Sequence, residues 1–129
     1  MPAYNAEKYI AETLDSILNS TFQDFEIIVI NDGSTDKTLE IVSQTLEGTG
    51  CEFRVISQPN AGEAAAVNRA FALVRGPYVI VVNADDPVEP TLFSESLSAL
   101  KANPSIAVSY PAWRIIGPRG EKKVEIHPK

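Results

Sequence analysis

Two short apolar runs that end in clusters of acids and amides narrow the fold more than anything else in this chain. Ile27-Ile28-Val29-Ile30 leads into Asn31-Asp32-Gly33-Ser34-Thr35-Asp36, and Val79-Ile80-Val81-Val82 leads into Asn83-Ala84-Asp85-Asp86-Pro87. A continuous β-branched run of this kind suits a strand covered on both faces of a parallel sheet. In such sheets ligands bind just beyond the carboxyl ends of the strands. Acids delivered twice to that edge point to a site for a polar molecule, a metal ion or both.

Helical and strand signals alternate around these runs. Ile10, Leu14, Ile17 and Leu18 share one face of a helix over Ala6–Asn19, followed by a strand over Glu26–Asn31. Leu39, Val42 and Leu46 mark a second helix, opened by Asp36 or a neighbouring hydroxyl and ended near Gly48. Glu52–Ser57 reads as a strand, and Gln58-Pro59-Asn60-Ala61-Gly62 as a loop. Ala64, Val67, Phe71 and Val74 give the face of a third helix closed by Gly76-Pro77, and Tyr78–Asn83 reads as the next strand. A fourth helix is expected over Pro90–Asn103 with Leu92, Phe93, Leu97 and Leu100 inward. Ile106–Ile116 and Lys122–Ile126, joined by Gly117-Pro118-Arg119-Gly120, read as an antiparallel hairpin. The fold class is α/β with a mostly parallel sheet, in three α/β/α layers.

The 129 residues suit one domain, residues 1–129. A net charge of −6 disfavours nucleic acid, which is recognised by a basic face. Cys51 is the lone cysteine, compatible with a reducing cytosol, and no apolar run approaches the roughly 20 residues of a membrane span. No signal peptide is evident. A cytoplasmic location is expected, with the inner face of a membrane reached through another part of the protein as the alternative.

Four motifs then occur in order: Pro2-Ala3-Tyr4-Asn5-Ala6-Glu7, the Asn31–Asp36 turn, Asn60-Ala61-Gly62 with Ala66-Val67-Asn68, and Asn83-Ala84-Asp85-Asp86. Together they resemble the nucleotide-binding half of a family 2 glycosyltransferase of the GT-A fold, over nearly the whole chain. The resemblance implies a Rossmann-like sheet that binds a nucleotide-diphosphate sugar, in particular a UDP-sugar. It implies inverting transfer of the sugar to an acceptor hydroxyl on a saccharide, lipid or protein. Asp32 would accept the N–H of a uracil ring, Tyr4 would offer a flat face to the base, and Pro2-Ala3 would leave room beside it. Glu7 and Gly62 belong to the same nucleotide-binding set, and Gly33 lets the backbone turn sharply and approach a ligand. Asn83 would bond a ribose hydroxyl, and Asp85 would hold Mg²⁺ or Mn²⁺, hard cations that take oxygen ligands.

Each assignment has a plainer counterpart. Asp32 could be an Asx-type turn residue, though Asp36 fills that need better. Tyr4 could be a half-buried loop aromatic, Glu7 a first-turn acid favoured by the helix dipole, and Asn83–Asp86 a solvated acidic turn. Two departures from the family pattern stand out. Asn83 replaces the first acid of the family's Asp-x-Asp motif, which weakens the expected metal affinity. Val67 stands where the family often has Arg, with Arg69 further along, so no cationic role passes to that position. Asn68 suits either bracing of the acidic loop or plain helix packing, and His127 and Lys122-Lys123 read as surface.

No residue presents itself as the general base, which in the resembling family lies later in the chain. A strand expected before Pro2 is represented only by Met1, so the sequence reads as a truncated domain. The chain by itself is expected to be inactive, and either to self-associate or to close the resulting gap by direct strand pairing. A non-catalytic nucleotide-binding module is the alternative function. A phosphoacceptor receiver domain would want a strand-end Lys near a Pro, which is not found in a suitable place. No G-x-G-x-x-G follows any strand, which argues against a dinucleotide site.

Overall fold

The computed structural model describes residues 1–116 and 122–126, with side chains described through Ala112. The turn expected at 117–120, the side chains of Lys122 and Lys123, and His127 lie outside the described residues. The chain divides into two compact units, Met1–Pro90 and Thr91–Lys129.

In the first unit, β1 (Pro2–Ala3), β2 (Glu26–Asp32) and β3 (Glu52–Gln58) form a parallel sheet in the order β1-β2-β3. Pro2 lies opposite Ile30 and Ala3 opposite Asn31, while β3 follows β2 in full register from Glu26↔Glu52 to Asp32↔Gln58. All three strands therefore end at one edge. Helices α1 (Ile10–Leu18), α2 (Thr38–Leu46) and α3 (Glu63–Phe71) complete the layers. Ile27, Ile28, Val29 and Ile30 are each at most 9% exposed, so this run is a strand covered on both faces, as its composition demands.

Side chains alternate across a strand. On one face of β2, Ile28 and Ile30 meet Ala66 of α3, with Ile56, Ala70, Leu73 and Val74 around them. The packing face of α3 is thus Ala66 and Ala70, not the expected Ala64, Val67 and Phe71. Small residues at i and i+4 let the helix approach the sheet closely, and Phe71 is turned outward. Helices α1 and α2 pack on each other and bury Ile10, Leu14, Ile17, Val42 and Leu46.

The second apolar run corrects the sequence reading. Tyr78–Asn83 is not a strand, and Tyr78, Val79, Ile80 and Val81 are 44–50% exposed. A strand needs a neighbour to complete its backbone hydrogen bonds. Among the described residues β1 is a two-residue strand paired only with β2, and no ladder reaches 78–83. Past this run the chain is fastened again. Val88 N–H donates to Ser16 Oγ at 2.9 Å, and Pro90 C=O accepts Thr21 N–H at 2.8 Å and the hydroxyls of Thr21 and Ser20 at 3.1 and 3.2 Å.

An ionic cluster sits where β2 and β3 begin. Glu26 accepts Arg54 at 2.7 Å and Arg75 at 2.8 Å, and Arg75 also bonds Glu52. Arg54 further donates to Leu73 C=O at 2.6 Å, which ties the chain after α3 to the sheet.

The second unit contains α4 (Leu92–Ala102), β4 (Trp113–Ile116) and β5 (Lys122–Ile126). Helix α4 has no fully buried residue; the expected inward set Leu92, Phe93, Leu97 and Leu100 is half-buried. Strands β4 and β5 pair antiparallel from Trp113↔Ile126 to Ile116↔Lys122, and 106–112, expected to be part of the first strand, precede it without regular structure. No described helix is long and apolar enough to cross a membrane.

Candidate functional site

The site is built where β1, β2 and β3 end. Register alone sets its frame: Ala3 beside Asn31 puts Tyr4 next to the Asp32-Gly33 turn, and Asp32 beside Gln58 puts that turn next to the 59–62 loop. Pro2 is half-buried and Ala3 buried in β1, while Tyr4 is 54% exposed and presents its ring at the surface.

Asp32 is 3% exposed and already surrounded by donors. Its Oδ1 accepts Gln58 Nε2 at 2.7 Å and Ala61 N–H at 2.9 Å, and its Oδ2 accepts Gly62 N–H at 2.8 Å. The Gln58 amide holds the carboxyl below the usual carboxylate value, with Ala61 and Gly62 adding to it against the opposing effect of burial. Gln58 is itself oriented by Arg69 of α3, whose guanidinium donates to Gln58 Oε1 at 3.2 Å. An ionised carboxylate offers about four lone-pair sites, and three are occupied here. Asp32 is therefore first of all the anchor of the 58–62 loop. Gly33 has φ +74°, and a Cβ there would lie 2.7 Å from Asn60 N. The close approach expected at Gly33 is made by the Asn60 backbone. Gly62, at φ +89°, opens α3 with free space beside its Cα.

The turns after β1 and β2 are stitched together. Three successive amides of the first turn donate into the second: Asn5 N–H to Ser34 Oγ (3.0 Å), Ala6 N–H to Thr38 Oγ1 (2.8 Å) and Glu7 N–H to Asp36 Oδ2 (3.1 Å). Two amides donate back, Thr35 N–H to Asn5 Oδ1 (2.9 Å) and Lys37 N–H to Glu7 Oε2 (3.0 Å), and the Thr35 hydroxyl also donates to Asn5 Oδ1 (3.4 Å). Asn5 takes the left-handed conformation, φ +46°, that Asn tolerates better than most residues. Glu7 thus serves the start of α2, not that of its own helix. Asp36 fulfils its expected role as well: Oδ1 accepts Thr38 N–H at 3.0 Å and the Thr38 hydroxyl at 2.6 Å. Burial pushes the Asp36 carboxyl up, but the bonds from Thr38 and Glu7 outweigh it and leave it lowered.

Asp85 lies exposed in the 83–86 turn, where Asn83 Nδ2 donates to Asp86 Oδ2 at 3.3 Å. No three His, Cys, Asp or Glu side chains are grouped for a metal among the described residues. The donor set is one carboxylate with an amide nearby. It fits an ion such as Mg²⁺, bound through one or two carboxylates and completed by phosphate oxygens, better than an all-protein cage. Asn68 is exposed on α3, and no bond joins it to the acidic turn among the described residues. Sequence reasoning missed Gln58, Arg69 and Thr38. Thr38 has Asp36 two residues away, but the partners that tie these residues to other elements, Arg69 and Asp32 for Gln58 and Ala6 for Thr38, lie 11 to 32 residues away.

The pattern of known proteins meets this geometry. The profile of glycosyl transferase family 2 matches residues 1–128. The chain belongs to glycosyl transferase family 2. It is 38% identical over 120 residues to a chondroitin synthase of Pasteurella multocida (strain Pm70), a match covering 93% of this chain and 12% of that relative. Among solved structures, S. aureus TarS 1-349 in complex with UDP aligns with TM-score 0.72 and 25% identity over 89% of this chain and 40% of that 1-349 chain. The same protein in complex with UDP-GlcNAc aligns with TM-score 0.73 and 25% identity, over 89% and 38%. The family 2 chain described here thus spans a minor part of the length of these relatives, and its three-strand parallel sheet with flanking helices is the corresponding part of the GT-A fold.

Proposed function

We propose that this chain is the donor-binding portion of a glycosyltransferase, taking a UDP-sugar with Tyr4, Asp32 and Gly62 at the sheet edge and with Asn83 and Asp85 of the 83–86 turn. The observation that carries the reading is the likeness, over 89% of the chain, to S. aureus TarS 1-349 in complex with UDP-GlcNAc. Tyr4 stacks on the base. The second lone pair of Asp32 Oδ2 accepts the base N–H, while Gln58 and the 61–62 amides keep that carboxylate ionised and oriented. Asn83 bonds a ribose hydroxyl. Asp85 would hold Mg²⁺ or Mn²⁺, which supplies charge neutralisation at the leaving diphosphate when bound. Transfer then goes to an acceptor hydroxyl with inversion, in a full protein that also supplies the general base.

Calorimetric titration tests the reading. UDP should bind saturably, GDP should not, and Mn²⁺ should strengthen UDP binding in the wild type but not in Asp85→Asn. Absence of saturable UDP binding would overturn the proposal. An unchanged Mn²⁺ effect in Asp85→Asn would remove Asp85 from the metal role.

A further inference from the structure

We infer that Thr38, with Glu7, is a positioning residue of the nucleotide site: it never touches the ligand, and it fixes the turn that carries Tyr4. The inference rests on the nucleotide reading given above. Tyr4 is the one aromatic in that set, and it is 54% exposed, so packing covers only part of it. Its backbone is determined from either side. Upstream, Ala3 is paired with Asn31 of β2 and buried. Downstream, the amides of Asn5, Ala6 and Glu7 all donate into the second turn.

Of these three bonds only the middle one is buried, and its acceptor is the Thr38 hydroxyl. Thr38 is 0% exposed, so a bound nucleotide cannot reach it. The hydroxyl spends its hydrogen on Asp36 Oδ1 and a lone pair on Ala6 N–H, which makes it the relay between the two turns. Its loss would strand a buried N–H, which costs more than losing an exposed bond. Glu7 closes the same connection from the other side through Lys37 N–H, at an exposed position. An exposed aromatic held by its backbone binds a base without first having to be ordered, and binding gains by that preorganisation.

The test uses the whole chain and four proteins: wild type, Thr38→Val, Thr38→Ser and Glu7→Ala. UDP affinity is measured by calorimetry at a temperature where circular dichroism shows each to be folded, and backbone amide exchange is followed by NMR. Thr38→Val, which strands a buried N–H, should weaken UDP binding by about tenfold, and Glu7→Ala, which loses an exposed bond, by about threefold. Thr38→Ser, which keeps the hydroxyl, should stay within about twofold of wild type by the same reasoning. Exchange should accelerate at Ala6 and Glu7 while the amides of Ile28–Ile30 stay protected. A folded Thr38→Val with wild-type affinity would overturn the inference, as would an equal loss in Thr38→Ser. Should Thr38→Val fail to fold, Glu7→Ala decides in the same way. Failure of the wild type to bind UDP is a different result: it removes the nucleotide reading and this inference with it.

Discussion

Ile27–Ile30 and Val79–Val82 are almost the same peptide, each followed by an amide and acids, yet the two come to opposite ends. The first is buried on both faces and delivers Asp32 into a shell of donors. The second leaves Val79, Ile80 and Val81 about half in solvent and delivers an exposed Asp85. The difference lies in neighbours. β2 has β3 along its whole length and β1 at its end, while the second run meets no ladder among the described residues. Apolar composition states what a segment can bury; backbone partners decide whether it does.

The sharpest way to break this comparison is to cut the same side chain in both runs. Ile30→Ala removes methylenes from a fully buried position and should lower the unfolding free energy by about 4 kcal/mol. Ile80→Ala, at a half-exposed position, should stay within about 0.5 kcal/mol. Urea denaturation of both variants checks this, and equal losses would mean that the second run is buried in solution.

A smaller effect belongs to the turn after the buried run. Gly33→Ala would place a Cβ against Asn60 N in a left-handed conformation, so backbone must move. The expected loss is about 3 kcal/mol from conformation and overlap together. Crystallography of the variant should show the 59–62 loop displaced; an unmoved loop with unchanged stability would contradict the close approach.

The mildest comparison sets one acid against the other. The Asp32 carboxyl titrates below its ordinary value in the fold, so its ionised form stabilises the native state above the unfolded value of about 3.9. That contribution disappears as pH falls through the lower folded value. Asp32→Asn should therefore cost about 2 kcal/mol at neutral pH and flatten the acid limb of the stability profile. Exposed Asp85→Asn should change stability at neutral pH by no more than about 0.5 kcal/mol. Urea midpoints from neutral pH down to about 3 distinguish the two.

Much of the fold was legible before any coordinates. Strands expected over Glu26–Asn31 and Glu52–Ser57 run one residue further, to Asp32 and Gln58, and the face of α1 lies where its spacing puts it; on α2 Val42 and Leu46 are buried as expected, but Leu39 is exposed and Thr38 takes the inward place. Local patterns suffice there because each residue's fate depends on its own element. The errors arise where the deciding partner is remote. Nothing in Tyr78–Asn83 says whether a neighbouring strand exists, and nothing near Val67 or Phe71 says that Ala66 and Ala70 meet the sheet. The site divides in the same way. Asp32, Gly33 and Tyr4 were singled out from the chain itself, but the carboxylate's occupancy by Gln58, Ala61 and Gly62 spans 26 to 30 residues. The Glu7 to Lys37 bond spans 30.

The fastening of Val88 and Pro90 to Ser16, Ser20 and Thr21 changes what α1 means for the second acidic turn. While 78–81 joins no ladder among the described residues and Val82 and Ala84 are buried, the hydrogen bonds that hold the turn lie on its downstream flank. Helix α1 is thus a bracket for the turn's downstream flank, through Ser16 in its last turn and Ser20 just past its end. The turn is therefore expected to respond to changes at Ser16 or Ser20, which lie outside the acidic motif itself.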